Sequence, residues 1–394
     1  MVLVDEPLFT PPERDAVDMK LLWFYTTKTF RSFQSDHDDP TADEVLRVKV
    51  VQHAFEAPFL MNTLLGLAGL HLRALNQDVP TSRILEYRAT SFYGYRKAIE
   101  EARTSTYPAL LACSLLLCGL SSEHFRDDDA KPLYILDWIN IWKGIGLIVR
   151  LIKPKALIES GMQTLFYRPP VDLEASASHI PNNLLFMVTS IAEDDDDFEH
   201  TAVYYETLKY LGSLYKELKN GLSNTLALRI ITFFTFLPQQ FIQLAQARRP
   251  RALVIIAYYL VFAKMCHDLW WMDGISDREI AHICNLLGDK WSDLLRIPRA
   301  AVSLIGLHSL ASLLLDDHAW MPMLDEGDRD TEKPHLVDNE GNGLLIVGDL
   351  VYRMPQSVRK QKTHGFIEIA EDFREEQDKT TTTSSSSNKD YSPG

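Results

Sequence analysis

A few places in the chain carry residue types that could do chemistry. Cys266 and His267 precede Trp270, and His282 and Cys284 follow on the next helical stretch. Two Cys/His pairs on adjacent helices can bind zinc, yet neither pair has the short-range spacing of a structural site, so no metal is expected. His71 lies one helical turn after Leu67 on an apolar stretch, where a hydrogen-bonded core histidine is the expected reading rather than a ligand or a base. The acidic run 193–197 could attract a cation or a basic partner. It directly precedes a helix start, where negative charge is favourable, and is expected to be a solvated loop. Asp338, Glu340, Asn342, Gly343 and Asp349 fall at positions 1, 3, 5, 6 and 12 of a calcium-loop template, with Leu345 at position 8. Pro334 stands just before them, no amphipathic helix leads in, and the last ligand is Asp where Glu is usual, so an ordinary polar turn is expected. There is no G-x-S-x-G, no G-x-x-x-x-G-K-[ST], no H-E-x-x-H and no G-x-G-x-x-G after a strand. Neither catalytic residues nor a cofactor are therefore expected.

The elements that must position these residues read as helices. The chain has 394 residues, 46% of them hydrophobic and 24% charged, the balance of a globular protein rather than a disordered one. Its net charge of −14 argues against a surface that docks on phosphate backbones. Cys113, Cys118, Cys266 and Cys284 are too few and too scattered for a disulfide scaffold, which points to a reducing compartment. The opening MVLVDEPLFTPPERD has acids and prolines where a secretory leader carries a basic and then an apolar stretch. The longest unbroken apolar run, 253–263, is about 11 residues where a membrane span needs roughly 20, so a buried helix is expected and no span. These features together predict a soluble, intracellular protein.

Asp15 can cap a first helix in which Met19, Leu22, Trp23, Phe30 and Phe33 form an apolar stripe. An Asp-rich loop separates it from a second helix near Glu44. Pro58 suits the first turn of a helix that is apolar on almost every face, with Gly66, Ala68 and Gly69 leaving room for a neighbouring backbone. Further helices are predicted over 83–103, 107–123, 132–151, 201–219, 226–247, 250–269 and 277–295, with Asn220-Gly221 as one stop signal. The expectation is an all-α protein: one large helical core of about ten or more helices over 16–322, after a flexible segment 1–15. A polar extension with a short strand or hairpin arm in GLLIVGDLVYRM follows over 323–375. The low-complexity tail 376–394 has too little apolar surface to offset ordering entropy.

Large aromatics concentrate late in the helical part. Phe233, Phe234, Phe236, Tyr258, Tyr259, Phe262, Trp270, Trp271 and Trp291 are spread over three consecutive predicted helices. Core packing explains such density, and so does an apolar cavity between helices of the kind that holds lipophilic ligands. Sequence does not separate the two.

Four segments taken in order resemble a known family. MKLLWFYTTKTFRSF, VVQHAFEAPFLMNTLLGLAGLHLRAL and YRATSFYGYRKAIEEA resemble the start of the carboxyl-terminal domain of fungal zinc-cluster transcription factors, and the sterol-uptake control proteins in particular. Ala57-Pro58-Phe59-Leu60 and Gly69-Leu70-His71-Leu72 occupy the places of the family's H-P-F-L and A-L-H-L phrases. WINIWKGIGLIV and the block RRPRALVIIAYYLVFAK…WWMDG…KWSDLLR resemble its middle and end, so the resemblance covers roughly residues 16–302.

The resemblance implies an all-helical domain that binds a sterol-like ligand near its end and thereby controls dimeric assembly, location and activation. On this chain it implies a lipophilic pocket near Trp270, Trp271 and Gly274, with Phe233 and Phe236 facing it and Tyr258 and Phe262 completing the candidate set. The family's six-cysteine zinc cluster departs from this sequence, which has four cysteines and no basic arm before Cys113. The DNA-binding part was lost, sits on another polypeptide or lies outside a truncated gene model, or else the scaffold serves another purpose. The expected protein is a nuclear or cytoplasmic regulator. It would bind a hydrophobic, sterol- or terpenoid-like molecule or a DNA-binding partner protein, form a homodimer, and make no direct contact with nucleic acid. The rival expectation is a cyclase or carrier of secondary metabolism that reuses the pocket, with His71, His267, Asp268 or Asp273 as acid/base candidates.

Overall fold

Local start and stop chemistry places most helices. In the computed structural model, which describes residues 15–34, 40–127, 130–152, 154–321, 336–338, 342–347, 350–353 and 367–368, the core is all-α. Asp15 caps the Ala16–Thr27 helix, its Oδ1 accepting from the amides of Val17 and Asp18 at 2.9 Å each. Prolines stand in the first turns of the Pro58–Ala74, Tyr107–Ser121 and Pro250–Lys264 helices, where a missing N–H costs nothing. Gly221 adopts φ 119° and ends the Thr201–Asn220 helix at the predicted Asn-Gly stop.

Two layers of helices share one hydrophobic core that runs from Leu21 to Trp320. In the amino-terminal half, Pro58–Ala74 packs against Ala16–Thr27, Thr81–Glu101 and Tyr107–Ser121. In the carboxyl-terminal half, Pro250–Lys264 is buried at every residue from 252 to 263 and is surrounded by Thr201–Asn220, Asn224–Phe236, Ile275–Leu287 and Arg296–Val302. Ile135–Leu151 joins the halves, touching Tyr107–Ser121 on one side and Asn224–Phe236 on the other. The Thr104–Phe125 stretch is long and apolar enough to cross a bilayer, but 67% of its most apolar window is buried inside the protein, as in a core helix.

Several expectations are corrected. The buried face of Ala16–Thr27 is Asp18, Leu21 and Tyr25, whereas Met19 and Trp23 are 67% and 64% exposed. Asp18 sets this rotation, because Arg83 Nη2 donates to its Oδ1 at 2.8 Å and the Tyr87 hydroxyl donates to the same oxygen. The predicted helix 226–247 is two helices, Asn224–Phe236 and Gln239–Gln246, meeting at 80°. Pro238 causes the break, forcing Leu237 into an extended conformation (ψ 145°). Gly288 stops the next-but-one helix at Leu287 rather than at 295. Around Gly66 the close neighbour is a side chain, Leu120, whose Cδ1 lies 2.8 Å from where a Cβ would sit. Close backbone approach occurs instead at Gly212, 2.4 Å by the same measure from the Ser176 carbonyl oxygen.

The second helix begins at Pro40 and reaches Glu56 with a π-helical turn over Val45–Lys49 in its middle. Beyond the helices, strands Leu336–Val337, Gly343–Val347, Leu350–Arg353 and Ile367–Glu368 form an antiparallel meander, with Leu344 opposite Arg353 and Val347 opposite Leu350. Of the residues expected in a polar turn, Asp338, Asn342 and Gly343 are described. Asp338 Oδ1 accepts from the Asn342 amide at 2.8 Å, and Arg353 Nε lies 2.7 Å from Oδ2. Glu340, Asp349, the segment 1–14, the Asp-rich stretch 35–39 and the tail 376–394 lie outside the described residues.

Candidate functional site

Helix ends from both halves meet around a partly open cavity of about 500 Å3, within the roughly 300–1,000 Å3 of small-molecule sites. The 3-10 turn Thr29–Phe33 and Gln34 form one wall, and Leu46 and Val50 bring the π turn to it. π turns are rare and concentrate at functional sites. Here Tyr25, fully buried, donates its hydroxyl to the Leu46 carbonyl at 3.3 Å within that turn. Ala112, Leu115 and Leu116 supply the apolar floor from Tyr107–Ser121, and Leu228, Ile231 and Thr232 face them from Asn224–Phe236. Trp142 and Trp271 add indole faces.

Two adjacent tryptophans fasten the carboxyl-terminal half to this wall. Trp271 Nε1 donates to the Ser32 carbonyl at 3.0 Å, and its ring stacks on Phe33 with centroids 5.7 Å apart. Trp270 Nε1 donates to Ser32 Oγ at 2.9 Å. Arg126 Nη2 holds the connection carrying both, donating to the carbonyls of Trp270 at 2.7 Å and Asp273 at 3.0 Å.

The cavity lining is mostly apolar, with Ser32, Thr41, Tyr167 and Thr232 among its polar members and three buried polar side-chain groups that lack partners among the described residues. Gln34 is 5% exposed, and neither end of its amide has a partner among the described residues. The Trp142 indole N–H and the Thr164 hydroxyl are likewise buried without one. Such orphaned groups are rare in native proteins and cost about 1–3 kcal/mol each. Arg168 Nη1 donates to the carbonyls of Leu165 at 3.0 Å and Tyr167 at 2.6 Å. Burial pushes its guanidinium down to about 10. Among the described residues that line the cavity there is no Asp or Glu.

The predicted ligand set divides. Trp271 lines the cavity. Phe233 and Phe236 line a neighbouring void of about 30 Å3 that shares Arg168, Leu228 and Thr232 with it. Tyr258 and Phe262 are sealed in the core. The Tyr258 hydroxyl accepts from Asn183 Nδ2 at 2.6 Å, and Phe262 meets Tyr215 edge-on at 5.0 Å. Trp270 turns to the other side, stacked on His71 at 5.0 Å beside a separate cleft lined by Arg73 and Glu123. Gly274, φ 77°, caps Ile275–Leu287 and borders neither space. Gln34, Trp142, Thr164 and Arg168 were not anticipated. Their one sequence signal is weak: an arginine between Tyr167 and Pro169-Pro170 in an apolar stretch.

The other sequence candidates are built into the structure. His71 is a core-type histidine, hydrogen-bonded through Nδ1 to Thr29 Oγ1 at 3.1 Å and pushed down to about 4 by burial. His267 pairs with Asp268 at the surface. All four cysteines are buried free thiols, and burial pushes those of Cys113 and Cys266 up to about 12. Among the described residues no three His, Cys, Asp or Glu side chains converge to hold a metal ion. The acidic run is no simple solvated loop. Arg251 clamps Asp195 at 2.7 Å and Asp197 at 2.8 Å, and Arg249 lies 3.6 Å from Asp196.

Glu279 supports the helix that carries Trp142. Fully buried, its Oε2 accepts from the Ile135 amide at 3.2 Å at the start of Ile135–Leu151, while Arg278 pairs with Oε1 at 2.5 Å and His282 lies 3.7 Å away. Burial raises its carboxyl from 4.5 to about 7. The folded state therefore holds an extra proton between those values, so the contribution is full below about pH 4.5 and is lost as pH rises through 7. On this account stability falls by about 3 kcal/mol across that window. The depressed histidines, His71 among them, act in the opposite direction and are common to both proteins, so the test is the difference: in urea unfolding, Glu279→Gln should gain on the wild type by about 3 kcal/mol between pH 5 and pH 8.

No protein-family model matches the chain. A Zn(2)-C6 fungal-type transcription factor of Gibberella zeae is 22% identical over 301 residues, 70% of this chain and 59% of that protein. Sterol uptake control protein 2 of Candida albicans is 23% identical over 282 residues, 66% of this chain and 39% of its own length. Its namesake in Saccharomyces cerevisiae is 25% identical over 289 residues, 68% of this chain and 30% of its own. The chain is thus similar over about two thirds of its length to fungal zinc-cluster transcription regulators. It spans less than two thirds of each of these relatives. Of the regulator-like segments in this chain, MKLLWFYTTKTFRSF carries Ser32 and Phe33, WINIWKGIGLIV carries Trp142, and WWMDG carries Trp271, so three of them reach one cavity.

Proposed function

We propose that this chain is the ligand-responsive regulatory part of a fungal transcription regulator acting in the nucleus, and that a hydrophobic molecule of sterol or terpenoid type occupies the cavity. The observation that carries this reading is the cavity itself, apolar over most of its wall and set with buried polar atoms that have no partner within the protein. Two relatives are named for the control of sterol uptake, which supports a lipid-related pathway. Ser32 and Phe33 come from the amino-terminal half and Trp271 from the carboxyl-terminal half, so an occupant touches both and can bias their packing by differential affinity. The acid/base candidates His71, His267, Asp268 and Asp273 do not line the cavity, which favours stoichiometric binding over turnover.

Trp142 and Trp271 make the test direct. Titration with ergosterol and with geranylgeraniol should change tryptophan fluorescence saturably. At a hundredfold excess over the dissociation constant, the ligand should stabilise the protein by about 2.7 kcal/mol. Leu228→Trp, which fills the cavity from its wall, should weaken binding at least tenfold. Absence of binding by both compounds and by their carboxylic-acid counterparts, or binding indifferent to the plug, would overturn the proposal.

A further inference from the structure

We infer that the occupant is an amphiphile with a single carboxylate head, which Arg168 receives at the polar end of the cavity. This rests on the reading that the cavity holds a hydrophobic ligand, and it goes beyond that reading by naming the charge of the head. Arg168 uses only Nη1, on the carbonyls of Leu165 and Tyr167; Nε and Nη2 make no hydrogen bond or ion pair among the described residues. Among the described residues no carboxylate lines the space it faces, so the half-buried guanidinium presents its remaining donors to the cavity without a counter-charge there. The guanidinium fork matches a carboxylate in two parallel bonds.

The neighbouring orphans point the same way. The Trp142 indole is a donor only, the Thr164 hydroxyl and the Gln34 amide nitrogen can donate, and all three are buried without acceptors. Gln34 Oε1 is an orphaned acceptor and the Thr164 hydroxyl can also accept, but three of the groups can donate, and a carboxylate head offers two acceptor oxygens to them where an alcohol offers one. The apolar floor of Ala112, Leu115 and Leu116 then takes the hydrocarbon.

Matched pairs test the charge apart from the hydrocarbon: geranylgeranoic acid against geranylgeraniol, and oleic acid against oleyl alcohol, each titrated into the full chain at pH 7.5. The expected result is an acid bound at least tenfold more tightly than its alcohol in one or both pairs, and the pair that shows it distinguishes an isoprenoid from a fatty acid. Arg168→Met should abolish that advantage while leaving the alcohol's affinity within about threefold, an outcome a merely structural arginine would not produce. Should Arg168→Met fail to fold, Arg168→Lys, which keeps the charge and loses the fork, should reduce the advantage without erasing it. Equal binding of acid and alcohol, or an advantage that both variants retain in full, overturns the carboxylate inference and leaves the hydrophobic-ligand reading standing. Binding of neither member of either pair, together with no binding of ergosterol, overturns both.

Discussion

Replacing Trp271 by alanine should destabilise the protein by about 3–5 kcal/mol, the cost of truncating a large buried aromatic. Trp271 is 2% exposed, stacks on Phe33, and approaches the rings of Trp138 and Trp142 at 6.4 Å each. Its loss also leaves the Ser32 carbonyl without the indole donor and removes part of the cavity wall. Trp270→Ala is the internal control. That ring is only half-buried and gives up one hydrogen bond to Ser32 Oγ and a stack on His71, so about 1–2 kcal/mol is expected. Urea unfolding of both variants measures the difference. Equal losses would mean that Trp271 is not the element joining the two halves.

The second large effect is expected at Arg251. Its guanidinium bridges Asp195 and Asp197 and lies over the Trp291 ring at 5.7 Å. Arg251→Met keeps the bulk and removes the charge, leaving the Asp197 carboxylate, which is 2% exposed, with only Arg249 at 3.7 Å as an ion-pair partner among the described residues. Breaking a buried pair by deleting one partner costs about 3–5 kcal/mol. The lower end, about 3 kcal/mol, is expected because Asp195 is open to solvent, where its attraction is screened. Asp197→Asn in the Arg251→Met background should recover part of the loss, so a double-mutant cycle reads the coupling directly. A cycle with no coupling would make the acidic run the solvated loop that its composition suggests.

These two sites also mark where sequence reasoning stops. The run 193–197 was legible as acidic and as preceding a helix, both local properties. Its partners Arg249 and Arg251 lie more than fifty residues on, and only folding brings them to it. Trp270 and Trp271 are chemically identical neighbours, and periodicity assigns no face in a connection made of turns. One therefore lines the cavity and the other stacks on His71. Tyr258 and Phe262 belonged to the same aromatic cluster and are packed solid. Pro238 marks the break in the sequence, but apolar periodicity continues on both sides of it and reads as one helix.

The all-α core, the cap at Asp15, the helix start at Pro58, the stop at Gly221 and the buried Pro250–Lys264 helix were determined by the sequence alone, because capping, φ preference and hydrophobic period act over a few residues. The tertiary structure alone decided that Gln34, Trp142, Thr164 and Arg168 surround one space. They come from segments far apart along the chain. A cavity is defined by what the surrounding helices fail to fill, and no short-range pattern records that.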